Sequence, residues 1–392
     1  MFEHVQTYPG DPILSLMDDY QRDPRADKVN LSIGFYYDGQ GQVPVLPSVR
    51  QARALLEARA ETANLYLPMD GHGGFREAVQ RYLFAESDNP RIVTLQSVGG
   101  SGALRVGADF LKRWYPDSQV WVSDPTWDNH LAIFQGAGFA VNRYPYLDAS
   151  CQQVDFPRLL QVLATLPANS IVLLHACCHN PTGVDLAPAQ WDALYALCRE
   201  RSLIPFLDAA YLGLGQGLDE DAYAIRALAR AGITGLVSNS FSKVFSLYGE
   251  RVGSLSVVCD SVEIAGRVAG QLKGTVRTNY SNPPRHGAEL VATIFAHPEL
   301  NALWRDELDA MRERMLAMRR ALHERVKCLD PGLEVDYLLQ QRGMFSYTGL
   351  SAAAVDRMRE QHGVYLIRSG RMCVAGLNEF NLDQVARALS DH

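Results

Sequence analysis

Five short apolar runs, each closing on polar residues and several separated by helical stretches, constrain this chain more than any other feature. Val120-Trp121-Val122-Ser123 breaks at Asp124-Pro125, and Ser170 to His175 precedes His179-Asn180-Pro181-Thr182-Gly183. Leu203 to Leu207 runs into Asp208, and Gly235 to Ser238 and Ser254 to Val258 complete the series. Continuous apolar strands of this length are buried on both faces, which calls for a mainly parallel sheet covered by helices. Pro188 to Arg201, with Trp191, Leu194, Leu197 and Cys198 on one face, reads as one such helix. Open α/β sheets bind ligands outside the C-terminal ends of their strands. The polar residues that close the runs are therefore expected to assemble one site.

The texture changes after about residue 300. Leu303 to Val326 carries Trp304, Leu308, Met311, Met315, Met318 and Leu322 at helical spacing, the pattern of one long helix with methionines in the core. Short strands are predicted around Met344 to Tyr347 and Val364 to Arg368, and a closing helix from Leu382 to Leu389. Val29 to Ile33 is an apolar strand without a local partner, so it is expected to join this tail. The predicted organisation is an N-terminal arm (1–9), a smaller α+β domain from both chain ends (10–43 and 311–392), and a large α/β domain (44–310).

The balance of 37 basic against 44 acidic residues gives a formal charge of −7, which argues against nucleic acid or an anionic membrane surface as partner. No apolar stretch approaches a membrane span, and Met1-Phe2-Glu3-His4 lacks the basic and apolar regions of a signal peptide. A cytoplasmic location is expected. The seven cysteines include no CxxC pair and do not suggest a disulfide framework, and the histidines show no metal-ligand spacing. No metal is expected.

The chemistry concentrates around Lys243. In Ser238-Asn239-Ser240-Phe241-Ser242-Lys243 a strand ends in hydroxyls and a lysine, and Arg251 follows between Gly249 and Gly253. An amine so placed can condense with an aldehyde cofactor, while the hydroxyls and guanidinium hold its phosphate. Taken alone, the segment also fits a solvated loop. Gly99-Gly100-Ser101-Gly102 precedes a helical run to Trp114, so its backbone N–H groups can face an anion, although Arg105 spoils any GxGxxG match. Asp208 could keep a pyridine nitrogen protonated, Tyr211 and Asn180 could reach a phenolic oxygen, and Trp127 could stack on a ring. Each has an ordinary structural reading as well. Arg371, among apolar residues and glycines, calls for an anion such as a carboxylate. Arg277 is less distinctive.

These segments together resemble the class I, fold type I pyridoxal-phosphate aminotransferases of the aspartate and aromatic subgroup, most nearly the bacterial aromatic-amino-acid (tyrosine) branch. The likeness runs from Tyr8-Pro9-Gly10-Asp11-Pro12-Ile13-Leu14 to Gly376-Leu377-Asn378. It is carried by Val29-Asn30-Leu31-Ser32-Ile33-Gly34, Leu65-Tyr66-Leu67-Pro68-Met69, Cys178 to Gly183, Ser240 to Lys243 and Ser369-Gly370-Arg371. The resemblance implies pyridoxal 5'-phosphate held as a Schiff base on Lys243, with Asp208 on the ring nitrogen and Tyr211 and Asn180 on the ring oxygen. It implies Trp127 on the ring face and Gly100, Ser101, Ser240 and Arg251 on the phosphate, with Tyr66 reaching in from a partner subunit. Arg371, Asn180 and Gly34, with Trp127, would bind the amino-acid substrate, and Arg277 its side-chain carboxylate across the interface. A homodimer with shared sites follows from that.

The implied activity is ping-pong transamination of tyrosine, phenylalanine and possibly tryptophan with 2-oxoglutarate or oxaloacetate, with aspartate and glutamate also accepted. Gly99, Asn239 and Met372-Cys373 depart from the aspartate-specific pattern. The alternative is a narrow aspartate aminotransferase. A nicotinamide oxidoreductase is disfavoured by the missing glycine fingerprint, and a non-catalytic binding protein by the retention of Lys243 and Asp208.

Overall fold

In a computed structural model, described for residues 1–7, 10, 12–59, 63, 65–86 and 89–391, the chain forms two compact units. One comprises Pro44–Glu313 and the other Met1–Val43 with Arg314–His392. Tyr8, Pro9 and Asp11 of the N-terminal motif lie outside the described residues.

The larger unit is built on β1 (Ile92–Val98), β2 (Val120–Asp124), β3 (Val141–Pro145), β4 (Ile171–His175), β5 (Ile204–Ala209), β6 (Gly235–Ser240) and β7 (Val252–Val258). They form one seven-stranded sheet in the order β1-β7-β6-β5-β4-β2-β3. Strand β7 is antiparallel to both neighbours and the remaining pairs are parallel. The mainly parallel α/β sheet expected from the apolar runs is therefore present. Strands β4 to β7 are buried along their whole length.

Two strands, β1 and β3, were not among the five apolar runs. Polar side chains interrupt β1, yet they are buried and paired: Thr94 Oγ1 lies 2.8 Å from Ser256 Oγ, and Gln96 donates to the Pro284 carbonyl. Strand β3 is the sheet edge, half exposed, with Asn142 and Arg143 in its middle. Helix α1 (Gly99–Trp114) follows β1 directly, so the glycine-rich turn does open a strand-to-helix connection. Its Leu104, Val106 and Phe110 join Val122, Phe134, Phe206, Leu236 and Leu255 in the main core. Helix α2 (Asp128–Gly136) follows β2, and α3 (Pro188–Glu200) realises the predicted helix with Trp191, Leu194 and Cys198 buried.

In the smaller unit, Val29–Asn30 finds its missing partner by pairing in parallel with Val364–Tyr365, and Phe345–Tyr347 pairs antiparallel with Arg371–Cys373. Leu31, Leu322, Met358, Leu366, Met372 and Leu382 form the core there. The long helix extends beyond both predicted ends, over Pro298–Leu329, and its Met311, Met315 and Met318 are buried as expected. Among the described residues, no helix is long and apolar enough to cross a membrane.

Candidate active site

Strand β6 places Ser240 at the sheet's C-terminal edge, and Lys243 follows three residues later. The segment between them is held from behind. Phe245 stacks on Trp304 with centroids 4.6 Å apart and planes 9° apart, and Trp304 Nε1 donates to the Val244 carbonyl at 2.8 Å. Phe241 and Val244 are buried in that packing, while Lys243 is half-buried. Its Nζ stands 4.9 Å from the centroid of the Tyr211 ring. Tyr211 lies just beyond β5, and the two strands are adjacent, with Asp208 in register with Ser238.

Asp208 is buried near the end of β5, and His130 Nε2 lies 3.0 Å from its Oδ2. The far nitrogen of His130 is 2.9 Å from Thr126 Oγ1. Burial pushes the Asp208 carboxyl up. The hydrogen bond from His130 and the charges of His130, His175 and Lys243 outweigh it, so the group is held below its ordinary value. A carboxylate kept ionised under cover is the partner that a protonated ring nitrogen requires. His175, in register with Asp208, has its ring centroid 5.0 Å from that of His130. Burial, then the neighbouring His130, push His175 down to about 3.

Asn180 is buried in the turn after β4. Asp185 accepts from the backbone N–H groups of Cys178 at 2.7 Å and His179 at 2.8 Å, and Gly183 N–H donates to the His179 carbonyl at 2.7 Å. Trp127 is the residue before α2, half-buried, with its ring edge-on to His130 at 5.2 Å.

The start of α1 meets the end of the loop after Lys243. Gly99 has φ +68°, and a Cβ there would stand 2.6 Å from Arg251 Nη2, so a side chain would fill the space the guanidinium faces. Gly253 must also be bare, because its Cβ would run into the Gly99 backbone. Arg251 itself is in the left-handed region at φ 53°, and its carbonyl accepts from Gly99 N–H at 3.0 Å. Its Nη1 donates to Ser242 Oγ at 3.4 Å. Beside Gly100 lie Ser240 Cβ, 3.0 Å from where a Cβ of that glycine would be, and Ser238, whose hydroxyl donates to the Gly100 carbonyl. A long helix opening on two glycines and Ser101, with a guanidinium and hydroxyls around it, has the donors and the space a phosphate needs.

The larger unit thus brings together Lys243, Tyr211 and Asp208, and separately Gly100, Ser240 and Arg251 next to Ser101. Other expected residues lie elsewhere. Tyr66 is 92% exposed, and Arg277, also exposed, donates to Ser281 Oγ near the end of α4 (Val262–Asn279). In the smaller unit Arg371 is buried, donates to the Ser32 carbonyl at 2.6 Å, and places its guanidinium carbon 4.3 Å from the Phe345 ring centroid. The same ring crowds Gly34, where a Cβ would stand 2.9 Å from Phe345 Cζ.

Sequence reasoning missed His130, His175, His179 and Thr126. A histidine's burial leaves no local mark, although His130, in the first turn of the helix that Trp127 precedes, was a usable signal. Two buried groups, His130–His175–Asp208 and Cys177–Cys178–Asp221, have donor atoms within 4.8 Å of one another. In the second, Asp221 is already occupied by the N–H groups of Gly213, Gly215 and Gln216.

Comparison with known proteins identifies the family. The family described as aminotransferase class I and II matches residues 26–389. The chain belongs to that family. It is 60% identical to a tyrosine aminotransferase of Klebsiella pneumoniae over 99% of both chains. It shares 48% identity and a TM-score of 0.96 with an aromatic-amino-acid aminotransferase from Burkholderia pseudomallei covalently bound to pyridoxal phosphate, covering 100% of this chain and 98% of that one. With a psychrophilic aromatic amino acids aminotransferase from Psychrobacter sp. B6, cocrystallised with aspartic acid, the values are 47% and 0.97, covering 100% and 99%.

Proposed function

We propose that this protein is an aromatic-amino-acid aminotransferase that uses pyridoxal 5'-phosphate and also accepts aspartate and glutamate. The observation that carries the reading is Lys243 Nζ over the Tyr211 ring, beside a buried, ionised Asp208. The cofactor, when bound, supplies an aldehyde for the amino group and a ring that accepts the electrons of the Cα–H bond.

Lys243 Nζ would take the proton from the substrate Cα, and Tyr211 beside it would steady that amine. Asp208 holds the proton on the ring nitrogen, and His130 holds Asp208 ionised. Asn180 and Tyr211 bind the ring oxygen, and Trp127 covers the ring face and excludes water. Gly100, Ser101, Ser240 and Arg251 hold the phosphate. Arg371 pairs with the substrate α-carboxylate, with Gly34 leaving room beside Phe345.

Exposed Tyr66 and Arg277 fit a homodimer in which each serves the partner's site, Tyr66 at the phosphate and Arg277 at a side-chain carboxylate. The seven cysteines, with no disulfide among the described residues, fit a reducing compartment such as the cytoplasm. The 60% identity to a tyrosine aminotransferase favours the aromatic reading over a narrow aspartate enzyme. Comparing kcat/KM for phenylalanine and aspartate with 2-oxoglutarate tests it. Turnover of aspartate with none of phenylalanine or tyrosine would sink the aromatic assignment.

A further inference from the structure

The turn that carries Asn180 is fastened on both sides by the residue before it. One nitrogen of the His179 imidazole is 2.9 Å from Ser123 Oγ on β2, and the other is 2.8 Å from Thr182 Oγ1, two residues beyond Asn180. The ring lies flat on Tyr146, with centroids 4.0 Å apart and planes 12° apart. Tyr146 in turn donates to the Val184 carbonyl at 2.8 Å. The backbone N–H of His179 is taken by Asp185. The fully buried imidazole therefore ties the turn to the neighbouring strand through its side chain and to itself through its backbone.

We propose that His179 is a positioning residue: bridged between Ser123 and Thr182, it fixes Asn180 so that its side chain meets the ring oxygen of bound pyridoxal phosphate. This rests on the function proposed above and assigns to His179 a part in it. A neutral imidazole suits the task, because one nitrogen donates and the other accepts, and one hydroxyl partner matches each. Burial, then the proximity of His175 and His130, hold the ring well below its ordinary pKa and so neutral. The titratable groups around it include Tyr146, His175, His130 and, through the backbone, Asp185. None offers a charge that would favour an imidazolium over the neutral ring at the side-chain nitrogens.

The decisive measurement is the visible absorbance of the holoenzyme against pH, together with its affinity for pyridoxal phosphate. A donor to the ring oxygen makes the cofactor chromophore a weaker base. Losing it raises the midpoint by about half a unit or more, the equivalent of one ordinary hydrogen bond. His179→Phe keeps the stack on Tyr146 and removes both bridges, so its midpoint should rise and its cofactor affinity fall several-fold. His179→Gln, which can restore one bridge, should recover part of the shift. The double variant His179→Phe/Asn180→Ala should shift no further than Asn180→Ala alone, because both act on one contact. Leu163→Ala, a core deletion elsewhere in the same unit, should lower Tm and leave the midpoint alone. If His179→Phe does not fold, Asp185→Asn loosens the same turn and should raise the midpoint too. A His179→Phe or Asp185→Asn holoenzyme with an unmoved midpoint, or additive shifts in the double variant, overturns the inference alone. A wild type that takes up no pyridoxal phosphate overturns the functional reading with it.

Discussion

His130 Nε2 lies 3.0 Å from Asp208 Oδ2, and both side chains are buried. The contact helps hold the carboxylate ionised against burial, together with the charges of His175 and Lys243. His130→Ala should therefore let the Asp208 pKa rise and weaken its hold on the ring-nitrogen proton. A lost hydrogen bond to a charged group is worth about 1.5–3 kcal/mol, so the first half-reaction should slow by about tenfold or more. Single-turnover mixing with phenylalanine reads this directly, and an unchanged rate constant would count against the role given to His130.

The same cluster should mark the pH dependence of folding. Burial, then His130, push His175 from its ordinary 6.5 down to about 3. Across that window the unfolded chain binds a proton that the folded chain refuses, so stability rises with pH up to 6.5 and is complete above it. The slope from one such group is at most about 1.4 kcal/mol per pH unit. Asp221, pushed by burial from 3.8 up to about 6, works in the opposite sense in its own window. Urea unfolding of the cofactor-free protein should show a pH slope that is more negative for His175→Asn than for the wild type between about pH 4 and 6, by up to about 1.4 kcal/mol per pH unit, because the opposing contribution of Asp221 is then left uncompensated.

Arg277 is exposed and hydrogen-bonded to Ser281, which already provides a resting place for its guanidinium. An aromatic side chain and a carboxylate cannot both satisfy one rigid cation site, since an unpaired buried guanidinium is costly. Arg277 should therefore point away when an aromatic substrate is bound. Arg277→Ala should lower kcat/KM for aspartate by about 100-fold, a charge-assisted pair's worth, and change that for phenylalanine by less than about threefold. Equal losses on the two substrates would contradict this division.

Trp304 supports the lysine from the far side, through its stack on Phe245 and its bond to the Val244 carbonyl. Trp304→Ala should destabilise the protein by about 3–5 kcal/mol through the cavity left behind. The Tm should fall accordingly. Trp304→Phe retains most of the ring volume, so its loss should be smaller.

Much of this was readable in advance because the signals are local. A strand that opens as an unbroken apolar run declares its burial, and β4 and β5 do so. Asp208 and Ser240 stand out because polar residues at the ends of such runs lie at one sheet edge. Strand β1 was hidden by Thr94 and Gln96, whose partners, Ser256 and Pro284, are distant in the chain. The histidines were hidden for the same reason. Nothing beside His130 in the sequence announces Asp208, 78 residues away. Pairing across strands is a property of the folded sheet, and single-residue patterns do not encode it.

Strand β7 runs against its neighbours, and this changes how the amine and the guanidinium are joined. In a parallel connection the chain would leave Ser240, cross a face of the sheet as a helix and re-enter at the opposite edge. Here it turns back at once, so Lys243 and Arg251 sit on a single short hairpin between two hydrogen-bonded strands. The proposed covalent and ionic anchors are thus one mechanical part. Residues inserted between 244 and 250 would separate them by lengthening the hairpin, whereas the loop before Gly235 and the one after Val258, at the other edge, can vary in length without changing their separation.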